Sequence, residues 1–355
     1  MQSYDVYHLP SYHKIAEERG EGKALFFVYS EGLHTIALPL LIRTIDPSPV
    51  LSGREEKYSD ATSAYGYIGP VASHLPIPAE ITKRFHGSLM KAFLDLNLVT
   101  VFSRLHPLMP QLSLLSGLGY SSQIGETVSI DLTIPEEEQW SAFRRNHRAD
   151  IQHLRSSGVT FLMDTQWDHY DEFASMYRET MQRVHADKFY EFDETYFHGL
   201  KRGFGDRLFL CFCKHENKLI SGGLVTSCNG IIEFHLAATP NEWLHMAPMK
   251  LLFDGVRRWG VSIGARVLHL GGGVGSASDS LFHFKAGFSK TRNQFLTWRL
   301  IVQPDINESL VHERLGLVSL EDDVDYTRIF FPRYRLPLTN LSSPEMVGSN
   351  QYHLS

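Results

Sequence analysis

Leu268-His269-Leu270-Gly271-Gly272-Gly273-Val274-Gly275, followed after three residues by Asp279-Ser280-Leu281-Phe282-His283-Phe284-Lys285-Ala286-Gly287-Phe288, is the stretch from which the fold is read. An apolar strand over Arg266–Leu270 runs into Gly271, Gly272 and Gly273, and a short helix is predicted over Asp279–Phe288. Glycines directly after a strand let a ligand or another backbone approach closely. Two readings therefore stand, a phosphate cradle and a tight strand-to-helix turn. No Gly-Lys-Ser/Thr follows, and the last glycine of a dinucleotide fingerprint would fall on Ser276, so neither nucleotide motif is present. Lys285 lies among Phe282, Phe284 and Phe288. Either its chain snorkels to the surface, or it points a cation into a ligand cleft.

Working outward, the strand-helix order recurs. Arg207–Cys213, Leu219–Ser227 and Gly230–Thr239 read as a meander, Met246–Val261 as a helix and Asn293–Val302 as a strand. Earlier in the chain, Ala24–Tyr29 and His34–Ile45 form a predicted hairpin across Ser30-Glu31-Gly32, and the polar run Ser52–Ser63 follows. Pro78 to Leu96 reads as an amphipathic helix, Leu98–Arg104 as a strand, Leu112–Leu118 as a helix and Thr127–Thr133 as a strand. Ala79 and Ala247, Val99 and Val267, and Gly119 and Gly287 are each 168 positions apart. An internal duplication of one α/β unit accounts for this spacing. The expected organisation is an N-terminal unit over 1–134, a C-terminal unit over 135–341 and a loose tail over 342–355. Pro135–Gly158 joins the halves, with Glu136, Glu137 and Glu138 early and Arg144, Arg145, Arg148 and Arg155 late, an order that suits a helix dipole.

Composition narrows the function. The 355 residues are 43% hydrophobic and 21% charged, as expected of a globular protein with room for two cores. A net charge of −6 argues against a general polyanion binder, and no DNA partner is expected. Cys211, Cys213 and Cys228 make neither a disulfide framework nor a zinc ribbon, so no metal is expected. Cys211 and Cys213 are read as small apolar residues on one strand face. MQSYDVYHLP lacks the pattern of a signal peptide, and no window is apolar for the length of a bilayer, so the expected location is cytoplasmic.

The glycine run followed by D-S-L-F-x-F-K-x-G-F resembles the C-terminal signature of FemABX-type and related GNAT acyltransferases. Phe143-Arg144-Arg145-Asn146-His147-Arg148 through Gly158-Val159-Thr160-Phe161 is similar to that family's basic helix leading into a strand. Tyr177-Arg178-Glu179-Thr180-Met181-Gln182-Arg183, with Phe189-Tyr190 and Tyr196-Phe197, resembles its substrate-side helical motif. Tyr65-Gly66-Tyr67-Ile68-Gly69-Pro70 and Arg104-Leu105-His106-Pro107-Leu108 agree. The resemblance spans Tyr65 to Phe288. It implies an α/β (α+β) protein of two GNAT-like units, each a mixed, mostly antiparallel sheet flanked by helices. It further implies transfer of an acyl group from acyl-CoA or aminoacyl-tRNA to an amine on a cell-wall precursor, nucleotide sugar or small metabolite. Lys285 then falls at the acyl-transfer site, and Arg183, Tyr190 and Tyr196 fall on the acceptor side, with Phe284, His269 and Gly271, Gly272 and Gly273 beside them as substrate-binding residues. One departure stands out: Leu244-His245-Met246-Ala247-Pro248-Met249-Lys250, where a GNAT binds the CoA pyrophosphate, has no glycine, and Pro248 lacks an N–H.

The chemistry asks for placement of two substrates, a proton acceptor and charge at the developing oxyanion. Lys285 supplies a cation. Glu233 and His235 in one strand, His269 in the next, and Asp279 are the candidate proton acceptors, each also readable as a hydrogen-bonded structural residue. Arg144, Arg145, His147, Arg148, His153 and Arg155 read either as a solvated helix face or as contacts to a tRNA backbone. A non-catalytic carbohydrate- or peptide-binding protein on the same fold is the competing reading.

Overall fold

The computed structural model describes residues 4–46, 51, 57–186, 188–315 and 330–336. The expected tail over 342–355 lies outside the described residues. In chain order the elements are α1 (Pro10–Glu18), β1 (Lys23–Glu31), β2 (His34–Thr44), β3 (Ser59–Thr62), β4 (Val71–Ala72), α2 (Ala79–Asp95), β5 (Leu98–Arg104) and α3 (Leu112–Leu115). Then come β6 (Tyr120–Asp131), α4 (Glu136–Ser141), α5 (Arg145–Ser156), β7 (Thr160–Asp164), α6 (Tyr170–Arg183) and α7 (Glu194–Phe204). The chain continues with β8 (Leu208–His215), β9 (Lys218–Cys228), β10 (Ile231–Ala238), α8 (Met249–Ser262), β11 (Val267–Gly271), α9 (Ser280–Lys285), β12 (Arg292–Ile301) and α10 (Pro304–Leu315). Among the described residues no helix is long and apolar enough to cross a membrane.

Among the described residues two compact units form, one from 4–125 with 294–336, the other from Glu126–Asn293. In the first, the strand order is β1-β2-β3-β5-β12, with β4 also on β2; every pair is antiparallel except β3 with β5. In the second the order is β7-β8-β9-β10-β11-β6, again antiparallel except β10 with β11. Hairpin, third strand, helix, parallel strand, short helix and final strand thus occur in each half, which is the mixed, mostly antiparallel architecture expected. Helix α2 covers the first sheet through Phe85, Leu89 and Phe93, and α8 the second through Leu251, Leu252, Phe253 and Val256.

The unit boundaries correct the contiguous halves 1–134 and 135–341. The final strands are exchanged: residues 128–131 of β6 pair with β11, and residues 297–301 of β12 pair with β5. Val128 and Ile130 of β6 are buried in the second core, and Trp298 and Leu300 of β12 in the first. Each such burial stabilises by about 1.5–3 kcal/mol, so the sheet that takes the strand also holds its apolar face. Two other local expectations also shift. The helical stretch of Pro135–Gly158 breaks at Phe143, which turns inward onto Phe288, and Arg144 caps α5 with extended backbone. Strand β3 lies within the polar run Ser52–Ser63, where buried Asp60 pairs with Arg43 and Arg335. Cys211 and Cys213 do share one buried face of β8, and burial pushes both thiols up, Cys213 to about 12.

Burial has a pH consequence in the first unit. Desolvation, with the charge of His106 and His13 adding to it, lowers His8 to about 3, and desolvation lowers His13 to about 4. Both folded-state values lie below the unfolded value near 6.5, so their neutral forms stabilise the fold fully above that pH and the contribution is lost as pH falls. Between pH 6 and 5 the unfolded chain takes up these protons and the folded chain does not, a loss of up to about 3 kcal/mol per pH unit for two groups. Denaturant titrations should show stability dropping steeply below pH 6; a flat profile to pH 4.5 would contradict the burial of these rings as neutral imidazoles.

Candidate active site

In β10, Phe234 lies on Phe253 of α8, 4.3 Å between ring centroids, which puts Glu233 on the opposite sheet face. The register then builds a row across neighbouring strands: Thr226 of β9 opposite Glu233, Glu233 opposite His269 of β11, and His269 opposite Ser129 of β6. All of these residues are buried. His269 Nδ1 and Glu233 Oε2 are 2.8 Å apart, and Asn293 Nδ2 donates to Ser129 Oγ at 2.9 Å. Sequence reasoning missed Thr226, Ser129 and Asn293. Only Ser129 has a signal, the alternation of Thr127, Ser129 and Asp131 with Val128 and Ile130 in β6, which reads equally as a solvent face until the tertiary structure buries it.

Lys285 does not snorkel. It is 5% exposed, and Nζ donates to the Gly272 carbonyl at 2.7 Å. Desolvation lowers it to about 8, against the raising influence of Asp279 and Glu233. The glycine run is a tight turn closed on itself. Gly271 has φ of 74°, a left-handed backbone, and a Cβ at Gly273 would stand 2.2 Å from the Ala277 carbonyl oxygen and 2.3 Å from Asp279 Oδ1. Asp279 is the N-cap of α9: Oδ1 accepts from Phe282 N at 2.8 Å and Oδ2 from Val274 N at 2.9 Å. Both carboxylate oxygens of Asp279, expected as a proton acceptor, hold the turn and helix together as a cap.

The remaining expected residues form separate groups. His235 occupies a β-bulge between Phe234 and Leu236, and its Nε2 is 2.9 Å from the Tyr196 hydroxyl. Phe192 stacks on Tyr196 at 3.9 Å between centroids, and burial lowers His235 to about 4, so the ring is neutral. Arg183 donates to the Thr239 carbonyl at 2.9 Å and to Asn241 Oδ1 at 2.7 Å. The Tyr190 carbonyl accepts from the Tyr177 hydroxyl at 3.0 Å. Phe284 packs on Phe253, Phe288 and His147 as part of the core. Ahead of α8, Ala247 is left-handed, Lys250 N bonds back to the Ala247 carbonyl at 3.2 Å, and the Lys250 side chain bonds Asp150. These are poor terms for a backbone phosphate cradle.

What distinguishes the two units is how the parallel pair ends. In the second, β10 and β11 pair through Glu233 and His269 and no further, although both strands continue. In the first, a further parallel bridge joins Ile68 to Leu105 beyond β3 and β5. The Ile68 carbonyl also accepts from Gln111 and contacts His8 Nε2 at 2.7 Å. The motif around Ile68 and Gly69 thus seals one gap, and the strands bearing Glu233 and His269 part.

Residues 141–285 match the family model described as an acetyltransferase (GNAT) domain. No curated protein matches the chain in sequence. Among solved structures, FemX is similar with a TM-score of 0.64 at 11% identity, covering 86% of this chain and 94% of that one. The C-terminal domain of a putative lysylphosphatidylglycerol synthetase from Agrobacterium fabrum is similar with a TM-score of 0.52 at 14% identity, covering 86% and 91%. L-PGS from Bacillus licheniformis gives 0.50 at 16%, covering 83% and 94%. At such identities the likeness speaks to fold, and together with the domain match it gives the chain a GNAT-superfamily acyltransferase fold.

Proposed function

We propose that the protein is an N-acyltransferase that moves an acyl or aminoacyl group from acyl-CoA or aminoacyl-tRNA onto an amine. The acceptor is an amine-bearing small metabolite, sugar nucleotide or cell-wall precursor. The observation that carries this reading is a buried lysine cation, Lys285, near the Glu233–His269 pair where β10 and β11 part. A preorganised positive charge in a dry site stabilises the oxyanion that forms when an amine attacks an ester or thioester. Names among the similar structures agree in kind, since a lysylphosphatidylglycerol synthetase bears an aminoacyl group in its product's name. The closed backbone before α8 weighs against a CoA pyrophosphate there and leaves room for a tRNA donor, whose binding would weaken steeply with salt.

Thermal-shift titration with acetyl-CoA, longer acyl-CoAs and charged tRNA tests the reading. A donor present at 100 times its Kd stabilises the native state by about 2.7 kcal/mol. A shift with a CoA ester assigns an acyl-CoA enzyme; a shift with charged tRNA alone, abolished by salt, assigns an aminoacyl transferase. Absence of any shift would give first place to a non-catalytic carbohydrate- or peptide-binding protein.

A further inference from the structure

We propose that β1 is a docking edge for a second copy of this chain, the two β1 strands pairing antiparallel about a two-fold axis at Phe27. The proposal is independent of the acyltransferase reading. Strand β1 is the outermost of the first unit, and among the described residues nothing pairs with its far side. Its nine residues pair with β2 in one unbroken register, from Lys23 opposite Ile42 to Glu31 opposite His34, with no bulge. Both sheet faces are covered. Phe26 meets His13 of α1 at 5.1 Å between centroids, while Phe27 meets Phe93 and Tyr29 meets Phe85 of α2 at 5.0 and 5.9 Å. The edge itself is open, and Val28 is 62% exposed. Between Lys23 and Glu31 the strand holds no charge and no proline, the devices that ordinarily keep an edge from adding a neighbour. The outer strand of the second unit is blunted: β7 is five residues long and ends in Asp164, whose carboxylate accepts from the N–H groups of Gln166, Trp167, Asp168 and His169 and holds the chain in a turn.

The hairpin fixes which groups face outward. Gly32 and Leu33 form a two-residue turn, so the Glu31–His34 pair that closes it exchanges hydrogen bonds, and the alternation runs back along the strand. Lys23, Leu25, Phe27, Tyr29 and Glu31 bond to β2, whereas Ala24, Phe26, Val28 and Ser30 turn their N–H and C=O groups outward. Pro39 agrees: it lacks an N–H and stands opposite Phe26, a pair that exchanges no bonds. An antiparallel neighbour bonds only where outward residues meet outward residues. The register that achieves this along the whole strand sets Phe27 opposite the partner's Phe27, Phe26 opposite the partner's Val28 and Ala24 opposite the partner's Ser30. The same register brings Lys23 opposite the partner's Glu31 at both ends, so opposite charges meet. Lys23 has no ion pair of its own among the described residues, and Glu31, which binds Arg84 and Tyr29, keeps lone pairs for a further donor. Val28 comes to lie against the partner's Phe26, which covers its exposed methyl groups. A two-fold pair uses up both edges, so the assembly closes at two copies.

Sedimentation velocity of the full chain between about 1 and 100 μM, a range that spans Kd values of modest interfaces, is expected to show a species of twice the chain's mass. Hydrogen exchange at the amides of Ala24, Phe26, Val28 and Ser30 should slow as that species forms. Val28→Pro deletes one outward N–H and leaves the bonds to β2 intact, and Val28→Lys puts a charge on the exposed edge. Both should sediment as monomers with the circular dichroism of the wild type; if Val28→Pro does not fold, Val28→Lys decides. Lys23→Glu sets two carboxylates opposite one another at each end and should weaken the dimer about tenfold, with a smaller effect at high salt. A wild type that stays monomeric throughout the range overturns the proposal, and protection of the four amides in that monomer would assign the edge to a segment of its own chain. A dimer that Val28→Lys and Lys23→Glu leave unchanged overturns it as well, as does growth into larger assemblies.

Discussion

Replacing Lys285 with methionine is expected to reduce acyl transfer by about 100- to 1,000-fold, the cost of removing one preorganised group at an oxyanion. Methionine keeps the unbranched shape, so packing among Phe282 and its neighbours is preserved while the charge is lost. Two stability effects oppose each other. The Gly272 carbonyl loses its donor at 2.7 Å, which costs about 1–3 kcal/mol for a buried acceptor left unsatisfied. Against this, the variant no longer buries an ammonium whose desolvation already lowers it to about 8. Net stability should therefore change little compared with activity. Paired measurement of kcat and of the urea midpoint separates the two; a large stability loss with kcat unchanged would make Lys285 a staple of the glycine turn and nothing more.

Asp254→Ala should be the most destabilising single change away from the site, by about 3–5 kcal/mol, the range for breaking a buried ion pair by removing one partner. Asp254 in α8 is fully buried and bonds Arg155 and Arg257, with Arg257 Nε at 2.8 Å. Arg257 is nearly as buried; its Nη1 donates to Gln139 Oε1 at 2.8 Å and its Nη2 lies 3.5 Å from the half-exposed Glu136 carboxylate, so on removal of Asp254 it keeps only this longer ionic contact. Arg155 is more than a third exposed and remains hydrated, so the penalty comes from Arg257. The double variant Asp254→Leu with Arg257→Met should recover most of the loss, because an apolar pair avoids both desolvation penalties. Urea unfolding of the single and double variants checks this, and a double variant no more stable than Asp254→Ala would show that the ions do more than satisfy one another.

Sequence alone determined the units' content. Helical periodicity put α2 and α8, and short β-rich runs bounded by turn residues put β1, β2, β5, β8, β9, β10 and β11, within a few residues of where they lie. The spacing of 168 positions already implied the repeated order. The glycine run marked backbone that other residues do not tolerate after β11, and left a tight turn and a phosphate cradle as equal readings of it.

Tertiary structure decided the partnerships. A strand such as β12 presents the same apolar alternation whichever sheet receives it, so nothing local reveals that it completes the first unit and β6 the second. Asp279, Glu233 and His235 were equal candidates in the sequence, because a carboxylate or imidazole carries no local sign of what it bonds. Folding assigns Asp279 to a helix cap, His235 to Tyr196 and Glu233 to His269, and it buries Ser129, which alternation alone would leave in water. The physical reason is one of range. Periodicity and turn chemistry act over a few residues, whereas the Glu233–His269 pair and the Lys285–Gly272 contact depend on register and loop closure between separate elements.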